Sequence, residues 1–166
     1  DSDLFGFNKS VKTACRFFNE CPRPLQFAVY GRSGSGRTSF LRLIEHELNS
    51  RDDIVQLHFS SRPFRNSTSL IRALLRCLET TLNIEDPRFE KLKQVAATAP
   101  KPDSEDFDRW VDATQSLKQD LNEIVGKSLT KMNKEILFIT LDDLDLCNSR
   151  LKIQLIEFVA EFLGVE

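Results

Sequence analysis

The sequence has few of the residues that bind metals through nitrogen or sulfur. It contains two histidines, His46 and His58, and four cysteines at positions 15, 21, 77 and 147. The cysteines lie too far apart for a CxxC pair, and neither histidine accompanies them at the spacing of zinc ligands. A zinc site is therefore not predicted, and we expect free thiols in a reducing compartment.

The sequence also lacks an excess of charge of either sign and any long hydrophobic run. It has 23 basic and 25 acidic residues, so no overall field marks it as a protein that binds nucleic acid or a membrane surface. No apolar run approaches the roughly 20 residues that a membrane helix requires, and no signal peptide is predicted. With 166 residues, 40% of them hydrophobic, we expect one soluble, cytoplasmic domain, with any membrane association made by regions outside this sequence.

Three short apolar runs have the length of β-strands. They cover residues 25–30, 54–59 and 136–141, and the last is nearly uninterrupted, as is typical of parallel strands covered on both faces. Helical periodicity separates and follows these runs, at residues 40–48, 70–82, 107–131 and 151–163. This alternation predicts an α/β fold in which helices flank a parallel sheet.

The chain divides into four parts within a single domain. Residues 1–24 form an N-terminal helical cover, in which Leu4, Phe7, Val11, Ala14 and Phe18 are expected to pack into the core. Residues 25–83 hold the first two strand and helix units, residues 84–134 a helical insertion, and residues 135–166 the last strand and helix. A polar loop with two prolines is expected at residues 96–106.

A glycine-rich segment follows the first apolar run and precedes a helical pattern. It reads Gly31-Arg32-Ser33-Gly34-Ser35-Gly36-Arg37-Thr38, which fits the phosphate-binding pattern GxxxxGK[ST] except at the lysine. A strand, such a loop and a helix in this order turn backbone N–H groups toward phosphate oxygens, and glycines allow the close approach. Thr38 is predicted to bind Mg²⁺ through its hydroxyl. The predicted phosphate contacts are Gly31, Ser33, Gly34, Ser35, Gly36, Arg37, Thr38 and Ser39.

Arg37 stands where the pattern has lysine. Lysine is a compact point charge that reaches the β- and γ-phosphates, whereas arginine is a wider planar fork that can pair with phosphate bidentately. Arginine preserves the charge but changes the geometry of the γ-phosphate contact. Arg37 is therefore a candidate catalytic residue. Since phosphoryl transfer depends on positioning, its altered contact with the γ-phosphate could leave hydrolysis impaired.

Acidic residues follow the third apolar run directly, at Asp142, Asp143 and Asp145. A carboxylate at the carboxyl end of a parallel strand lies at the ligand edge of the sheet, so Asp142 is predicted to hold the magnesium ion. Asp143 is then placed to orient or deprotonate an attacking water. Asp145 is interpreted as a helix cap or a surface charge.

Together these motifs resemble the KAP family of P-loop NTPases. The resemblance rests on Leu4-Phe5-Gly6-Phe7, on the loop from Tyr30 to Leu41, and on Asp142-Asp143-Leu144-Asp145-Leu146-Cys147. The chain departs from the family pattern at Arg37, at Leu146 where arginine is usual, and at residues 59–64, which lack the tryptophan commonly found after the second strand.

The resemblance implies a three-layer sandwich in which a further strand lies between the phosphate-loop strand and the acid strand. No segment is left to supply that strand, so an incomplete core is expected. The resemblance further implies ATP and Mg²⁺ as cofactors, and a switch domain within a larger signalling or defence protein. Other domains of the same protein, or a second copy of it, are the expected partners.

Two other classes of function stay open. One is a pseudo-NTPase scaffold that works through its surfaces, which Arg37 favours. The other is a GTPase or a small-molecule kinase. A GTPase is not favoured, because the segment Asn133-Lys134-Glu135-Ile136 lacks the aspartate of an NKxD motif. A kinase is not favoured, because the sequence has no arginine-rich lid segment.

Overall fold

The computed structural model describes residues 6–64, 70–95 and 106–162, and within them two strands and several helices. In chain order these are α1 (Asn8–Glu20), α2 (Arg37–Leu48), β1 (Ile54–Ser60), α3 (Leu70–Leu82), α4 (Arg88–Val95), α5 (Asp106–Lys131), β2 (Ile136–Asp142) and α6 (Ser149–Phe162). A single 3₁₀ turn follows each strand, at Arg62–Phe64 and at Leu144–Leu146. The polar loop predicted at residues 96–106, apart from Asp106, and the predicted positions Leu4, Phe5 and Leu163 lie outside the described residues.

The two strands pair in parallel, as the apolar runs predict. Ile54 lies opposite Ile136 and Ser60 lies opposite Asp142, so both strands end at the same edge of the sheet. Each strand extends one residue beyond its predicted end, and the extra residues are the polar Ser60 and Asp142. The carboxyl edge of the sheet is therefore where polar side chains from both strands meet.

The strands separate two hydrophobic clusters, because successive side chains point to opposite faces. Ile54 and Phe138 face a smaller cluster formed mainly by α1 and α2. Val55 and Ile139 face a larger cluster formed with α3, α4, α5 and α6. Helices thus cover both faces of the pair, and the predicted α/β class is confirmed. The complete three-layer sandwich stays a prediction, since the described sheet has two strands.

Helix α1 packs against α2 and one face of the sheet. Val11, Ala14 and Cys15 are buried in the smaller cluster, and Phe7 and Phe18 pack against it. Helix α2 is also fixed to the sheet by a polar contact, because the Gln56 amide donates to the Glu45 carbonyl oxygen at 3.0 Å. These contacts fix α2 against α1 and the sheet.

The strand predicted at residues 25–30 is wrong, since this segment has no strand pairing in the described structure. A strand requires a neighbour with which to exchange ladder hydrogen bonds, and β1 and β2 pair with each other. Phe27 is 48% exposed and Tyr30 is 90% exposed, so the segment is not enclosed between layers. The apolar composition alone did not distinguish an extended segment from a paired strand.

Helices α4 and α5 lie between α3 and β2, and α4 was not identified from the sequence. The predicted positions Phe107, Trp110 and Val111 fall within α5, but their side chains are not described. In the part of the chain that the structure covers, no helix is long and apolar enough to cross a membrane. None of the four cysteines forms a disulfide.

Candidate nucleotide site

The segment from Gly31 to Thr38, here called the phosphate loop, is a tight turn that runs directly into α2. The Ser35 N–H donates to the Arg32 carbonyl oxygen at 3.1 Å. Gly34 and Gly36 have φ angles of +81° and +84°, in the left-handed region that favours glycine. Gly34 and Gly36 are therefore required by the backbone conformation of the loop.

The loop is also packed closely at its two ends. A Cβ at Gly31 would overlap the Ser35 hydroxyl oxygen, so the loop folds back on its own first residue. A Cβ at Gly36 would lie 3.0 Å from the ring of Phe7, which itself makes an edge contact with Phe40 at 5.5 Å between centroids. Phe7 thus supports the loop from the side of the N-terminal cover.

Helix α2 begins within the loop, at Arg37, with Gly36 as its N-cap. Its first regular hydrogen bond is donated by the Phe40 N–H to the Gly36 carbonyl oxygen at 2.8 Å. The N–H groups of the preceding turn, from Arg37 to Ser39, have no acceptor within the helix, and no side chain caps the helix start in the described structure. Thr38 and Ser39 are exposed there. Such a helix end carries partial positive charge and favours an anion.

Arg37 contacts the acidic segment after β2. Its Nη2 lies 2.7 Å from Oδ2 of Asp145, with the two side chains 29% and 43% exposed. The Arg37 hydrogen bond holds the pKa of Asp145 below its ordinary value. This contact brings the phosphate loop and the acidic segment together, and Asp145 is an ion-pair partner instead of a helix cap.

Asp142 is buried at the end of β2, with 8% of its surface exposed. Its Oδ1 accepts a hydrogen bond from the Asp143 N–H at 2.7 Å. Its carbonyl oxygen accepts from the N–H and the hydroxyl of Ser61, at 3.1 and 3.2 Å. The segment after β1 therefore fixes the backbone that carries this carboxylate.

Asp143 has a φ of +60° and directs its carboxylate to the end of β1. Its Oδ2 accepts from the Ser60 hydroxyl at 2.7 Å, and Arg62 donates to both oxygens, at 2.9 Å to Oδ1 and 3.3 Å to Oδ2. The hydrogen bonds from Arg62 and then from Ser60 hold the pKa of Asp143 below its ordinary value. In this arrangement Asp143 is a weak base.

The sequence did not identify Ser60, Arg62 or the pair formed by His58 and Glu45 as site residues. His58 Nδ1 lies 2.7 Å from Glu45 Oε1, a contact that joins β1 to α2. Arg62 is 68% exposed and lies in the turn after β1. Their positions in the sequence could have identified Ser60 and Arg62, because polar residues directly after a parallel strand lie at the same edge of the sheet as those after the neighbouring strand.

These residues fit the phosphates of a nucleotide with Mg²⁺. The loop glycines have the backbone conformation that a phosphate cradle needs, and the exposed start of α2 supplies N–H donors. Among the described residues, no three His, Cys, Asp or Glu side chains gather as a metal site. Magnesium at this edge would therefore need nucleotide phosphates as ligands in addition to Asp142 and Thr38.

The model of the KAP family P-loop domain matches residues 8–165, which is nearly the whole chain. No curated protein and no solved structure matched the chain.

Proposed function

This chain belongs to the KAP family of P-loop NTPases, and we propose that its phosphate loop binds ATP together with Mg²⁺. The observation that supports the proposal most is the continuity of the loop with α2. Two left-handed glycines lead into a helix start whose N–H groups lack helical acceptors, and the Arg37 contact with Asp145 brings the acidic segment beside it.

Each residue of the site has a proposed role. The backbone from Gly31 to Ser39 donates N–H groups to the phosphates, and Arg37 contributes positive charge. The Thr38 hydroxyl and the Asp142 carboxylate hold the metal, which neutralises phosphate charge when bound. Asp143 orients the attacking water.

We further propose that ATP serves this domain as a slowly hydrolysed switch ligand in a larger signalling or defence protein. Support for slow hydrolysis comes from the ion pairs, since Arg37 is engaged by Asp145 and Asp143 is engaged by Arg62. Both groups would have to change partners before they could act on a nucleotide. The resemblance to KAP proteins supports the larger role.

A second candidate is a pseudo-NTPase that binds nucleotide without hydrolysing it. The observation favouring it is that the arginine at the lysine position is held by a carboxylate in place of a phosphate. Phosphate release measured with the full chain separates the two candidates, because only the first yields steady turnover.

The binding proposal is tested by calorimetry with ATP and GTP, with and without Mg²⁺. Thr38→Ala is expected to weaken Mg²⁺-dependent ATP binding about tenfold or more, as loss of a metal-site group commonly does. Thr130→Ala is the matched control, since that hydroxyl donates only to the Gly126 carbonyl of its own helix. If the full chain binds neither ATP nor ADP at millimolar concentration, the proposal is wrong.

A further inference from the structure

The ion pair between Arg37 and Asp145 has a consequence for binding that rests on the proposed function. A guanidinium offers several N–H donors in one plane, and both a carboxylate and a phosphate bind it by the same donors. Arg37 Nη2 lies 2.7 Å from Asp145 Oδ2, so its guanidinium is engaged by a carboxylate. A phosphate that recruits Arg37 must therefore displace or share with this carboxylate.

Asp145 is held where it is by its own turn. The Leu146 N–H donates to the Asp143 carbonyl oxygen at 2.9 Å, and the Cys147 N–H donates to the Leu144 carbonyl oxygen at 3.2 Å. Cys147 is buried, and its sulfur contacts the Ser61 carbonyl oxygen at 3.9 Å. These contacts fix the backbone that carries the Asp145 carboxylate.

The neighbouring carboxylate is not free to replace Asp145. Both oxygens of Asp143 already accept hydrogen bonds from Arg62, and one of them also accepts from Ser60. Removing the charge of Asp145 would thus release Arg37 instead of passing it to Asp143.

We propose that Asp145 sets the nucleotide affinity of this site, by competing with the phosphates for the guanidinium of Arg37. It is a residue that acts through Arg37, and its carboxylate also repels the phosphates directly. The site therefore binds nucleotide more weakly than its loop and the start of α2 would bind it without Asp145.

The test is calorimetry of Mg²⁺-ATP binding to the full chain and four variants. Asp145→Asn removes the charge with little change in shape, and Arg37→Ala, alone and combined with Asp145→Asn, completes a double-mutant cycle. Asp53→Asn is the matched control, because Asp53 pairs with Arg51 at the opposite edge of the sheet. Thermal unfolding checks that each variant is folded.

Asp145→Asn is expected to tighten ATP binding about threefold to tenfold, of which an exposed ion pair supplies up to about fivefold. In the Arg37→Ala background the gain is expected to fall below about twofold, because only direct repulsion remains. Asp53→Asn is expected to leave the affinity unchanged. A purely structural role for Asp145 would not depend on Arg37 in this way.

The outcomes distinguish this inference from the function on which it rests. If the unmodified chain binds ATP and Asp145→Asn binds no more tightly, or gains equally without Arg37, only the inference fails. If the unmodified chain binds no nucleotide, the proposed function fails and takes this inference with it.

Discussion

Substituting Gly36 by alanine tests whether the phosphate loop depends on the N-terminal cover. Gly36 has a φ of +84°, and an added Cβ would lie 3.0 and 3.2 Å from two ring carbons of Phe7. The left-handed conformation costs a residue with a Cβ about 1–2 kcal/mol. Pressing a methyl group against a packed ring adds about 1–2 kcal/mol more. Gly36→Ala should therefore lower the free energy of unfolding by about 2–4 kcal/mol.

Two other glycines provide matched controls in the same urea denaturation assay. Gly34 has nearly the same φ, +81°, but a Cβ there meets no described atom within 4 Å. Gly34→Ala should cost only the conformational term, about 1–2 kcal/mol. Gly126 lies within α5 with similar open space, so Gly126→Ala should stabilise the protein by about 0.5–1 kcal/mol.

The double variant Phe7→Leu with Gly36→Ala isolates the contact with the ring. If the ring causes the extra loss, then Gly36→Ala should cost less in the Phe7→Leu background than in the unmodified chain. Equal destabilisation by Gly34→Ala and Gly36→Ala would refute the reasoning, because the two positions differ mainly in Phe7.

Three further predictions concern the acidic segment, Arg37 and acid stability. Asp142→Asn is expected to weaken Mg²⁺-dependent ATP binding in calorimetry. Asp143→Asn is expected to leave binding unchanged and to lower turnover. Equal losses of affinity in the two variants would contradict these separate roles. Arg37→Lys is expected to raise turnover about tenfold, since lysine follows the γ-phosphate without the bulk of a guanidinium; a marked fall in phosphate release would mean that arginine is the working residue. The hydrogen bonds from Arg88 hold the pKa of Asp86 below its ordinary value, so the folded chain binds a proton there less readily than the unfolded chain. The stability this pair contributes is present above about pH 4 and is lost as the pH falls through the lowered pKa. Arg88→Gln should therefore flatten the acid side of the stability profile in urea denaturation between about pH 2 and pH 7, and an unchanged slope would refute that assignment.

The sequence predicted those parts of the fold whose signals are local. The strands β1 and β2 are apolar runs, and α2 and α3 carry regular apolar stripes, so composition and period were enough. Residues 25–30 look the same in composition, but a strand exists only through its partner. No local signal shows whether that partner lies alongside.

The candidate site divides in the same way. The glycines of the loop could be predicted because their conformations are properties of single residues. The contact of Arg37 with Asp145 joins residues 108 positions apart, and that of Arg62 with Asp143 joins residues 81 apart. Such pairs depend on how β1, β2 and α2 are assembled, which side-chain type alone does not reveal. The metal roles of Thr38 and Asp142 stay predictions.

The two strands divide the hydrophobic core into a smaller and a larger cluster, and the helices on these clusters are expected to differ in their resistance to partial unfolding. The phosphate loop and α2 rest on the smaller cluster, whereas α3 and the helices after it share the larger one. An opening that detaches α1 and α2 exposes less apolar surface than global unfolding does, so it costs less free energy. Amide hydrogens of α1 and α2 should thus exchange with solvent sooner than those of α3. A ligand bound at the loop should slow exchange in α1 and α2 more than in α3.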